Sequence, residues 1–248
     1  MLTPEDIKAK KSKKEMISMI TAYDFAFAKM AEAAGIDQIL VGDSLANTML
    51  GYKSTREIGM TEMLIFTAAV CRGAPNTHVV ADMPYLSDKD PQTAYDNARR
   101  LMDVGASSVK IEGTPAGVLE FLHEKGIPVC GHLGLLPQTA ENFKQKGRTE
   151  EEARAIEEAA KFVESVGCFE TVLEHIPEEL GTKITNEINI PTIGIGGGKF
   201  TDGHVLVMHD ALGMHPNKIP PFATKFVDMY SVGVQGLKRY IESVNARV

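Results

Sequence analysis

Residues 31–44 read AEAAGIDQILVGDS and contain the unit on which the predicted fold rests. Alanine-rich sequence typical of a helix leads to Gly35, a residue type that readily takes the left-handed conformation at a helix end. The apolar residues ILV at 39–41 then favour a buried strand. The polar residues Asp43 and Ser44 follow after a single glycine. The stretch therefore predicts a helix, a glycine turn and a buried strand with a polar end.

The same order recurs along the chain, often with a glycine between the helix and the strand. Four further segments show it: MDVGASSVKIEG (102–113), HEKGIPVCGHLG (123–134), ESVGCFETVLEH (164–175) and NEINIPTIGIGGG (186–198). With the apolar runs at 16–23, 78–84 and 204–210, the chain has eight strand-like segments.

Strands that alternate with helices form parallel sheets, and eight such units in about 250 residues are typical of a (β/α)8 barrel. The sequence therefore predicts an α/β protein with a (β/α)8 TIM barrel. We expect a single domain over residues 1–248, with an N-terminal helix and a C-terminal helical tail. The segment GGKFTDG (197–203) leaves little room for a helix between the last two strands. A doubly wound open sheet is the alternative, although it would not need eight units.

The segments between the predicted strands have the periodicity of helices. Apolar residues recur at the spacing of one helix face in two of them: Ala94, Ala98 and Leu101 in the first, and Ala153, Ile156, Ala160 and Val163 in the second. Pro91 and Pro115 are predicted to lie in first helical turns, where proline is tolerated.

Composition limits the classes of function. The formal net charge is −7 and the pI is about 5.5, which argues against a nucleic-acid partner. No apolar run is long enough to span a membrane, and the start of the chain lacks the apolar region of a signal peptide. We therefore expect a cytoplasmic protein that does not interact with membranes.

The cysteines and the lysine-rich start have simple interpretations. Cys71, Cys130 and Cys168 are odd in number and lie in apolar runs, which predicts buried free thiols in a reducing compartment. The stretch MLTPEDIKAKKSKKEM (1–16) is interpreted as a helix with a solvated charged face, with an anion-binding arm as the alternative.

Ionisable residues stand at five predicted strand ends: Asp43, Asp82, Glu112, His132 and Glu174. In (β/α)8 barrels the active site lies at the C-terminal ends of the strands, so these side chains are expected at one mouth. Side chains alternate along a strand, and three pairs are therefore expected to share an inward face: Val41 with Asp43, Val80 with Asp82, and Lys110 with Glu112.

Three of these acids predict a metal site. Asp43, Asp82 and Glu112 belong to neighbouring strands, which lie roughly 4.8 Å apart and allow carboxylates to converge. Such charges repel one another unless a cation lies among them. Ligation by oxygen alone favours a hard ion such as Mg²⁺, with water or substrate completing its shell.

The remaining polar residues suit the binding of an organic anion. Lys110 is expected to contact a substrate carboxylate or carbonyl, and Ser44 can donate a hydrogen bond to the same ligand. Glu174 should face the other acids across the mouth, where a lone carboxylate is placed to act as a general base.

Each residue also has a structural interpretation. An acid at a strand end can cap the following helix. Lys110 and Glu112 can form a plain ion pair, and His132 can be a core histidine bonded to backbone. The glycine-rich GIGGG (194–198) can bind phosphate or simply allow close backbone packing. Ionisable residues at five successive strand ends nevertheless favour a functional site.

Motifs over residues 16–228 resemble those of the ketopantoate (3-methyl-2-oxobutanoate) hydroxymethyltransferase family, a barrel family grouped with phosphoenolpyruvate mutase and isocitrate lyase. They stand in the order TAYD (21–24), VGDSL (41–45), ADMPY (81–85), VKIEG (109–113), CGHLGLLPQ (130–138), LEHIP (173–177), IGIGGG (193–198) and VMHDALG (207–213).

The resemblance implies an enzyme of pantothenate and coenzyme A synthesis. It would transfer a hydroxymethyl group from 5,10-methylenetetrahydrofolate, the co-substrate, to 3-methyl-2-oxobutanoate through a Mg²⁺-stabilised enolate, giving 2-dehydropantoate. It implies Glu174 as the proton acceptor and a homodecamer as the assembly. The implied Mg²⁺ ligands are Asp43 and Asp82, with Glu112 bound directly or through water. The residues implied to bind or adjoin the oxo acid are Asp43, Ser44, Asp82, Lys110 and His132.

Two segments depart from the family pattern. TAENFKQKGR (139–148) is shorter than the usual loop before its Gly-Arg pair, and KSTREIGM (53–60) replaces an acidic residue and a Leu-Pro-Val-Thr segment. Both follow strands, where substrates are selected. A Mg²⁺-dependent C–C lyase or aldolase on another 2-oxo acid is therefore an alternative, although the chain lacks a reactive-cysteine motif of the isocitrate lyase kind. A non-catalytic barrel that binds a metabolite or a protein is a third hypothesis.

Overall fold

The computed structural model describes residues 1–216 and 219–247. Its centre is a closed barrel of parallel strands, each paired with the next along the chain. The predicted (β/α)8 barrel is therefore confirmed, and the doubly wound alternative is wrong. The strands are β1 (Ile17–Thr21), β2 (Gln38–Val41), β3 (His78–Asp82), β4 (Ser108–Glu112), β5 (Val129–Gly134), β6 (Glu170–Glu174), β7 (Thr192–Ile195) and β8 (Gly203–Leu206).

Helices alternate with the strands up to β7. They are α1 (Pro4–Lys13), α2 (Phe25–Ala33), α3 (Leu45–Thr48), α4 (Met60–Gly73), α5 (Pro91–Asp103), α6 (Val118–Glu124), α7 (Glu150–Ser165) and α8 (Glu178–Glu187), with a 3₁₀ turn at Thr55–Glu57. After β8 come α9 (Met208–Ala211) and α10 (Met229–Asn245).

Local sequence explains where these helices begin and end. The carboxylates of Asp24 and Asp90 accept hydrogen bonds from the first turns of α2 and α5. Glycines with positive φ follow four helices, as predicted: Gly35, Gly105, Gly126 and Gly167. Pro91 is the first residue of α5, also as predicted. The prediction for Pro115 is wrong, because α6 begins at Val118, after a glycine N-cap.

The barrel interior contains an apolar core, to which the strands contribute because alternate residues of each strand point inward. Burial of each large aliphatic side chain contributes roughly 1.5–3 kcal/mol to folding. The buried members of this core are Ile7, Ile17, Met19, Leu40, Val80, Cys130, Phe169, Val172, Ile193 and Val205.

No helix lies between β7 and β8, as GGKFTDG predicts. The short connection brings Asp202 back to the first strand, where its carbonyl accepts a hydrogen bond from the Ile17 backbone N–H at 2.9 Å. This bond joins the last strand to the first at the N-terminal end of the barrel.

The N-terminal helix α1 packs against the end of the barrel where the strands begin. Its Ile7 is fully buried in the core. Lys10 Nζ lies 2.6 Å from Asp37 Oδ1, and Lys11 Nζ lies 2.9 Å from Asp202 Oδ2. The interpretation of the lysines as a solvated face is therefore wrong for these two, which bind the helix to the barrel.

Two compact units divide the chain, at 1–205 and 206–248. The first contains nearly the whole barrel, and the second contains the predicted C-terminal helical tail as α10. The single domain over 1–248 stays a prediction. All three cysteines are free thiols, but Cys71 is only half-buried, so its predicted burial is wrong. Within the described residues, no helix is both long and apolar enough to cross a bilayer.

Candidate active site

The side chains predicted on β3, β4 and β5 meet at the barrel mouth. Lys110 Nζ lies 2.9 Å from Asp82 Oδ1 and 3.3 Å from His132 Nδ1. Glu112 Oε1 lies 3.5 Å from the same imidazole nitrogen. The strand register produces these contacts, because it sets Asp82 beside Lys110 and Glu112 beside His132. The structural alternatives of a plain Lys110–Glu112 pair and a backbone-bonded histidine are therefore wrong.

Asp43 reaches the mouth by a route that alternation does not predict. Strand β2 ends at Val41, and Leu40 belongs to the barrel core, so Val41 points outward. The expected inward face shared by Val41 and Asp43 is therefore wrong. Asp43 instead follows the turn at Gly42, and its backbone N–H donates to Asp82 Oδ2 at 2.9 Å.

A glutamine in the loop after β5 connects two of the acids. The side-chain Nε2 of Gln138 donates to Asp43 Oδ2 at 2.8 Å and to the Met83 carbonyl at 2.9 Å. Its backbone N–H donates to Glu112 Oε2 at 3.0 Å. Asp43, Asp82 and Glu112 thus each accept a hydrogen bond from an N–H group of the mouth through one carboxylate oxygen. None of these bonds is a helix cap, so capping does not explain the acids.

Glu174 lies on the other side of the imidazole. Its Oε2 is 3.1 Å from His132 Nε2, whereas Glu112 lies on the Nδ1 side. The contact to Glu174 is close but is not aligned as a hydrogen bond. The Glu174 side chain is 20% exposed, against 6% for Glu112, so it has open space beside it. We call the six residues Asp43, Asp82, Lys110, Glu112, His132 and Glu174 the mouth cluster.

Burial and neighbouring charges set the ionisation of the mouth cluster. Burial acts to lower the pKa of Lys110, but the carboxylates of Asp82, Glu112 and Asp43 raise it well above its usual range. Burial, together with the Asp82 charge, raises the pKa of Asp43 to about 7. Burial opposes ionisation of Glu112 too, but its hydrogen bond with His132 leads the effects that lower its pKa overall.

His132 carries a hydrogen on the ring nitrogen that lies beside Glu174. Burial and Lys110 act to lower the pKa of His132, but its contacts with Glu112 and Glu174 raise it to about 9. In the imidazolium, both ring nitrogens carry hydrogen. In the neutral ring, donation from Lys110 to Nδ1 leaves the hydrogen on Nε2, because an ammonium group only donates. Nε2 therefore carries hydrogen in either state.

The donor set fits a hard divalent cation. Four carboxyl groups and two cationic side chains make up the mouth cluster, so full ionisation leaves two negative charges unbalanced. Asp82 Oδ1 is buried, and although Lys110 Nζ lies 2.9 Å from it, it has no aligned hydrogen-bond donor among the described residues. In that same part of the chain, no three His, Cys, Asp or Glu side chains converge as a complete metal cage. Mg²⁺ usually needs only one or two carboxylates, which Asp43 and Asp82 can supply.

Ser44 is held by a tyrosine that the sequence reasoning did not select. The Tyr23 hydroxyl lies 2.8 Å from Ser44 Oγ. Ser44 occupies the N-cap position of α3, but its side chain makes no capping hydrogen bond. Burial raises the pKa of Tyr23 to about 12, so its hydroxyl stays protonated, and either hydroxyl can donate the hydrogen bond that joins it to Ser44.

The glycines at 194–198 provide close packing. A Cβ on Gly197 would lie 2.9 Å from the Leu173 carbonyl oxygen, and one on Gly198 would lie 2.7 Å from Glu178 Cα. Gly198 also has a positive φ of 88°. The packing interpretation of this segment accounts for its glycines.

The two segments that depart from the family pattern meet near the mouth. Arg56 stacks over the Tyr85 ring, 5.3 Å from its centroid, and donates to the Ala140 carbonyl at 3.3 Å. Gln138 and Tyr23 are the residues that sequence reasoning missed. Both lie inside quoted motifs, CGHLGLLPQ and TAYD, so the signal was present without a role attached to it.

The sequence model of the family described as ketopantoate hydroxymethyltransferase matches residues 1–248. The chain belongs to this family. Proteins named 3-methyl-2-oxobutanoate hydroxymethyltransferase are among its relatives. The one from Kosmotoga olearia is 46% identical over 93% of this chain and 89% of its own length. The one from Thermotoga maritima is 46% identical over 96% and 90%, and the one from Ignicoccus hospitalis is 44% identical over 99% and 95%.

Solved structures share the fold of this ketopantoate hydroxymethyltransferase family member at low identity. A phosphoenolpyruvate phosphomutase from Streptomyces platensis subsp. rosaceus superposes with a TM-score of 0.64 at 14% identity, over 99% of this chain and 88% of its own. A phosphonopyruvate hydrolase, solved in complex with oxalate and Mg²⁺, has a TM-score of 0.64 at 12% identity over 99% of each chain. These similarities show that the chain shares its barrel fold with these two proteins.

Proposed function

We propose that this protein transfers a hydroxymethyl group from 5,10-methylenetetrahydrofolate to 3-methyl-2-oxobutanoate, giving 2-dehydropantoate. The observation that carries the proposal is the mouth cluster, in which Asp43, Asp82 and Glu112 surround Lys110 while Glu174 stands across His132. Its chemistry matches what an enolising enzyme needs: an anion site, room for a hard cation and a separate base. Membership of the family supplies the choice of substrates.

We propose Asp43 and Asp82 as direct ligands of Mg²⁺, with Glu112 reaching the ion through water. When bound, Mg²⁺ supplies a Lewis acid that polarises the carbonyl of the oxo acid. Lys110 stays cationic because its neighbours raise its pKa, so it can pair with the substrate carboxylate. Ser44, directed by Tyr23, can donate a hydrogen bond to the same oxo acid.

Glu174 is the proposed base. It removes the proton from C3 of the oxo acid and leaves the bonding electron pair on the substrate as an enolate. His132 Nε2 lies 3.1 Å from the Glu174 carboxylate, so a cationic imidazolium beside it would stabilise the ionised base. Water adds to the methylene carbon of the folate, and both C–N bonds break, so that tetrahydrofolate leaves with the two protons of water on its nitrogens and the carbon becomes formaldehyde. The enolate carbon then forms a C–C bond with this carbon, and the resulting alkoxide takes the proton held by Glu174 to become the hydroxyl of the hydroxymethyl group. The folate carries the reactive carbon, and the protein provides position and charge.

We also propose a cytoplasmic location and a homodecamer. Three free thiols suit a reducing compartment. Large apolar side chains on α10 are exposed in the single chain, among them Leu237, Tyr240 and Ile241, and burial in an assembly would remove them from water.

Product formation tests the proposed activity. Purified protein is incubated with Mg²⁺, 3-methyl-2-oxobutanoate and methylenetetrahydrofolate, and 2-dehydropantoate is measured. We expect product with all components and none when either Mg²⁺ or the folate is left out. Cleavage of a 2-hydroxy or 2-oxo acid without folate would instead favour the Mg²⁺-dependent lyase or aldolase alternative. No product under any of these conditions would contradict the proposal.

A further inference from the structure

Gln138 is a loop residue whose side chain is buried in the barrel mouth. It lies in the loop between β5 and α7, yet its side chain is only 5% exposed and its amide is inside the barrel mouth. Loops usually run over the surface, and a buried loop side chain needs partners for its polar atoms. The partners of Gln138 are two acids of the mouth cluster and one carbonyl.

The three hydrogen bonds have separate effects. The bond from Nε2 to Asp43 Oδ2 leaves Oδ1 as the Asp43 oxygen that is free of the amide. The bond from the backbone N–H to Glu112 Oε2 likewise occupies one oxygen of Glu112. The other oxygen, Oε1, lies on the His132 side. The bond from Nε2 to the Met83 carbonyl fixes the amide, because one nitrogen donates to both acceptors.

We propose that Gln138 is a positioning residue that sets Asp43 and Glu112 for binding of the divalent cation. This inference rests on the proposed function for the identity of the site. It assigns to Gln138 the task of turning one oxygen of each acid toward the ion and holding the other away. It also makes the loop after β5 part of the metal site, because the residue that orients the acids belongs to that loop.

The neutral amide suits this task. A lysine or arginine at the same place would compete with the cation, and a carboxylate would add to the repulsion among the acids. An amide donates to a carboxylate without changing the net charge of the mouth. Partners that orient metal-binding side chains from outside the coordination shell typically change metal affinity by roughly 10–100-fold when they are removed.

The test compares Gln138→Met with Gln92→Met. Methionine has nearly the length of glutamine and lacks the amide donors, while the backbone bond to Glu112 is retained. Gln92 donates its Nε2 to Asp96 on the exposed face of α5, so it undergoes the same chemical change outside the mouth. Mg²⁺ binding is measured by calorimetry in the presence of 3-methyl-2-oxobutanoate and without folate, so that no turnover occurs.

We expect Gln138→Met to raise the Mg²⁺ Kd by roughly 10–100-fold and Gln92→Met to leave it unchanged. Thermal unfolding in EDTA measures the metal-free fold of each variant. A lower unfolding temperature for Gln138→Met with an unchanged Mg²⁺ Kd would overturn the inference and leave only a structural role. If Gln138→Met does not fold, Gln138→Asn keeps the amide but is one methylene too short to reach Asp43, and an unchanged Kd there overturns the inference equally.

The two proposals fail in different ways. A wild-type protein that binds Mg²⁺ but makes no 2-dehydropantoate would contradict the proposed function, while a raised Kd for Gln138→Met would still support the positioning role. A wild-type protein that makes the product, with equal Mg²⁺ Kd values for all variants, would contradict only the positioning role.

Discussion

The barrel contains a second polar cluster beneath the mouth cluster, and the two balance charge in different ways. This floor cluster is built on β2 to β6, two to five residues before the mouth residues: Gln38, His78, Ser108, Cys130 and Glu170. In the mouth, Lys110 and His132 stand among four carboxyl groups. In the floor, the one carboxyl group has a neutral partner, Gln38 Nε2, at 2.8 Å.

The ionisation of the floor residues follows from this difference. Burial raises the pKa of Glu170 to about 7, although its hydrogen bonds to Gln38 and Cys130 oppose the shift. Burial lowers the pKa of His78 against a backbone hydrogen bond to Leu2. Both groups therefore shift toward their neutral forms. In the mouth, by contrast, the pKa values of Lys110 and His132 shift so as to favour their charged forms, which a charged ligand can use.

The largest effect should come from removing the central cation of the mouth. Lys110→Met leaves three buried acids without their counter-charge, and breaking a buried ion pair this way costs about 3–5 kcal/mol of unfolding free energy. The floor counterpart Gln38→Met removes one neutral donor, so we expect roughly 1–3 kcal/mol, since Glu170 can bind a proton in compensation. Urea unfolding at neutral pH measures both. Equal losses would contradict the contrast between the clusters.

A pH series on Glu170→Gln probes the floor. The folded-state pKa of about 7 lies above the ordinary value of 4.5, so the folded protein holds this proton more tightly than the unfolded chain. Stability from this group is complete below about pH 4.5 and is lost as the pH rises through 7. Relative to wild type, Glu170→Gln should gain on the order of 3 kcal/mol of unfolding free energy between pH 4.5 and 8. A constant difference over that range would show that Glu170 ionises normally.

A smaller effect is expected for Tyr23→Phe at the edge of the mouth. The change removes the hydroxyl that orients Ser44 but keeps the buried ring. Loss of one neutral hydrogen bond is worth about 1 kcal/mol, which corresponds to a fall of roughly fivefold in kcat/KM. Steady-state kinetics of Tyr23→Phe, Ser44→Ala and the double variant measure the coupling. Additive effects in the double variant would show that the tyrosine does not act through the serine.

The smallest effect is expected outside both clusters. Arg56→Ala removes the stacking on Tyr85 and a long hydrogen bond to Ala140 at an exposed position. Exposed cation–π contacts are worth about 0.5–1 kcal/mol. Thermal unfolding should therefore change little, and Lys29→Ala, which removes an exposed contact with Phe25, is the matched control. A loss as large as that of Gln38→Met would show that Arg56 stabilises the mouth loops more than its contacts indicate.

The fold could be predicted from the sequence because each unit signals its own elements. Glycine after a helix and an apolar run with a polar end are local patterns, and the closed barrel follows from repeating them. The missing helix between β7 and β8 was also visible, because residues 196–202 are too few to form one. Pro115 was misread because proline is common in turns as well as in first helical turns.

The candidate site could be predicted only in part. Asp82, Lys110 and Glu112 follow strand alternation, so register alone brings them together. Asp43 does not, because it follows the turn at Gly42 after its strand has ended, and turn geometry depends on the neighbouring hydrogen bond to Asp82. Gln138 was missed because its partners Glu112, Met83 and Asp43 are 26, 55 and 95 residues away in sequence, and no local pattern encodes such contacts.

Exchange of the C3 proton of 3-methyl-2-oxobutanoate tests the central claim most directly, because it needs the base and the oxo-acid site but not the folate. Proton NMR in D₂O with Mg²⁺ would follow wild type, Glu174→Gln and the exposed control Glu187→Gln on α8. We predict exchange by wild type and the control, and a rate lower by roughly 10²–10⁴-fold for Glu174→Gln. An undiminished rate in Glu174→Gln would contradict the assignment of the base and, with it, the account of the mouth.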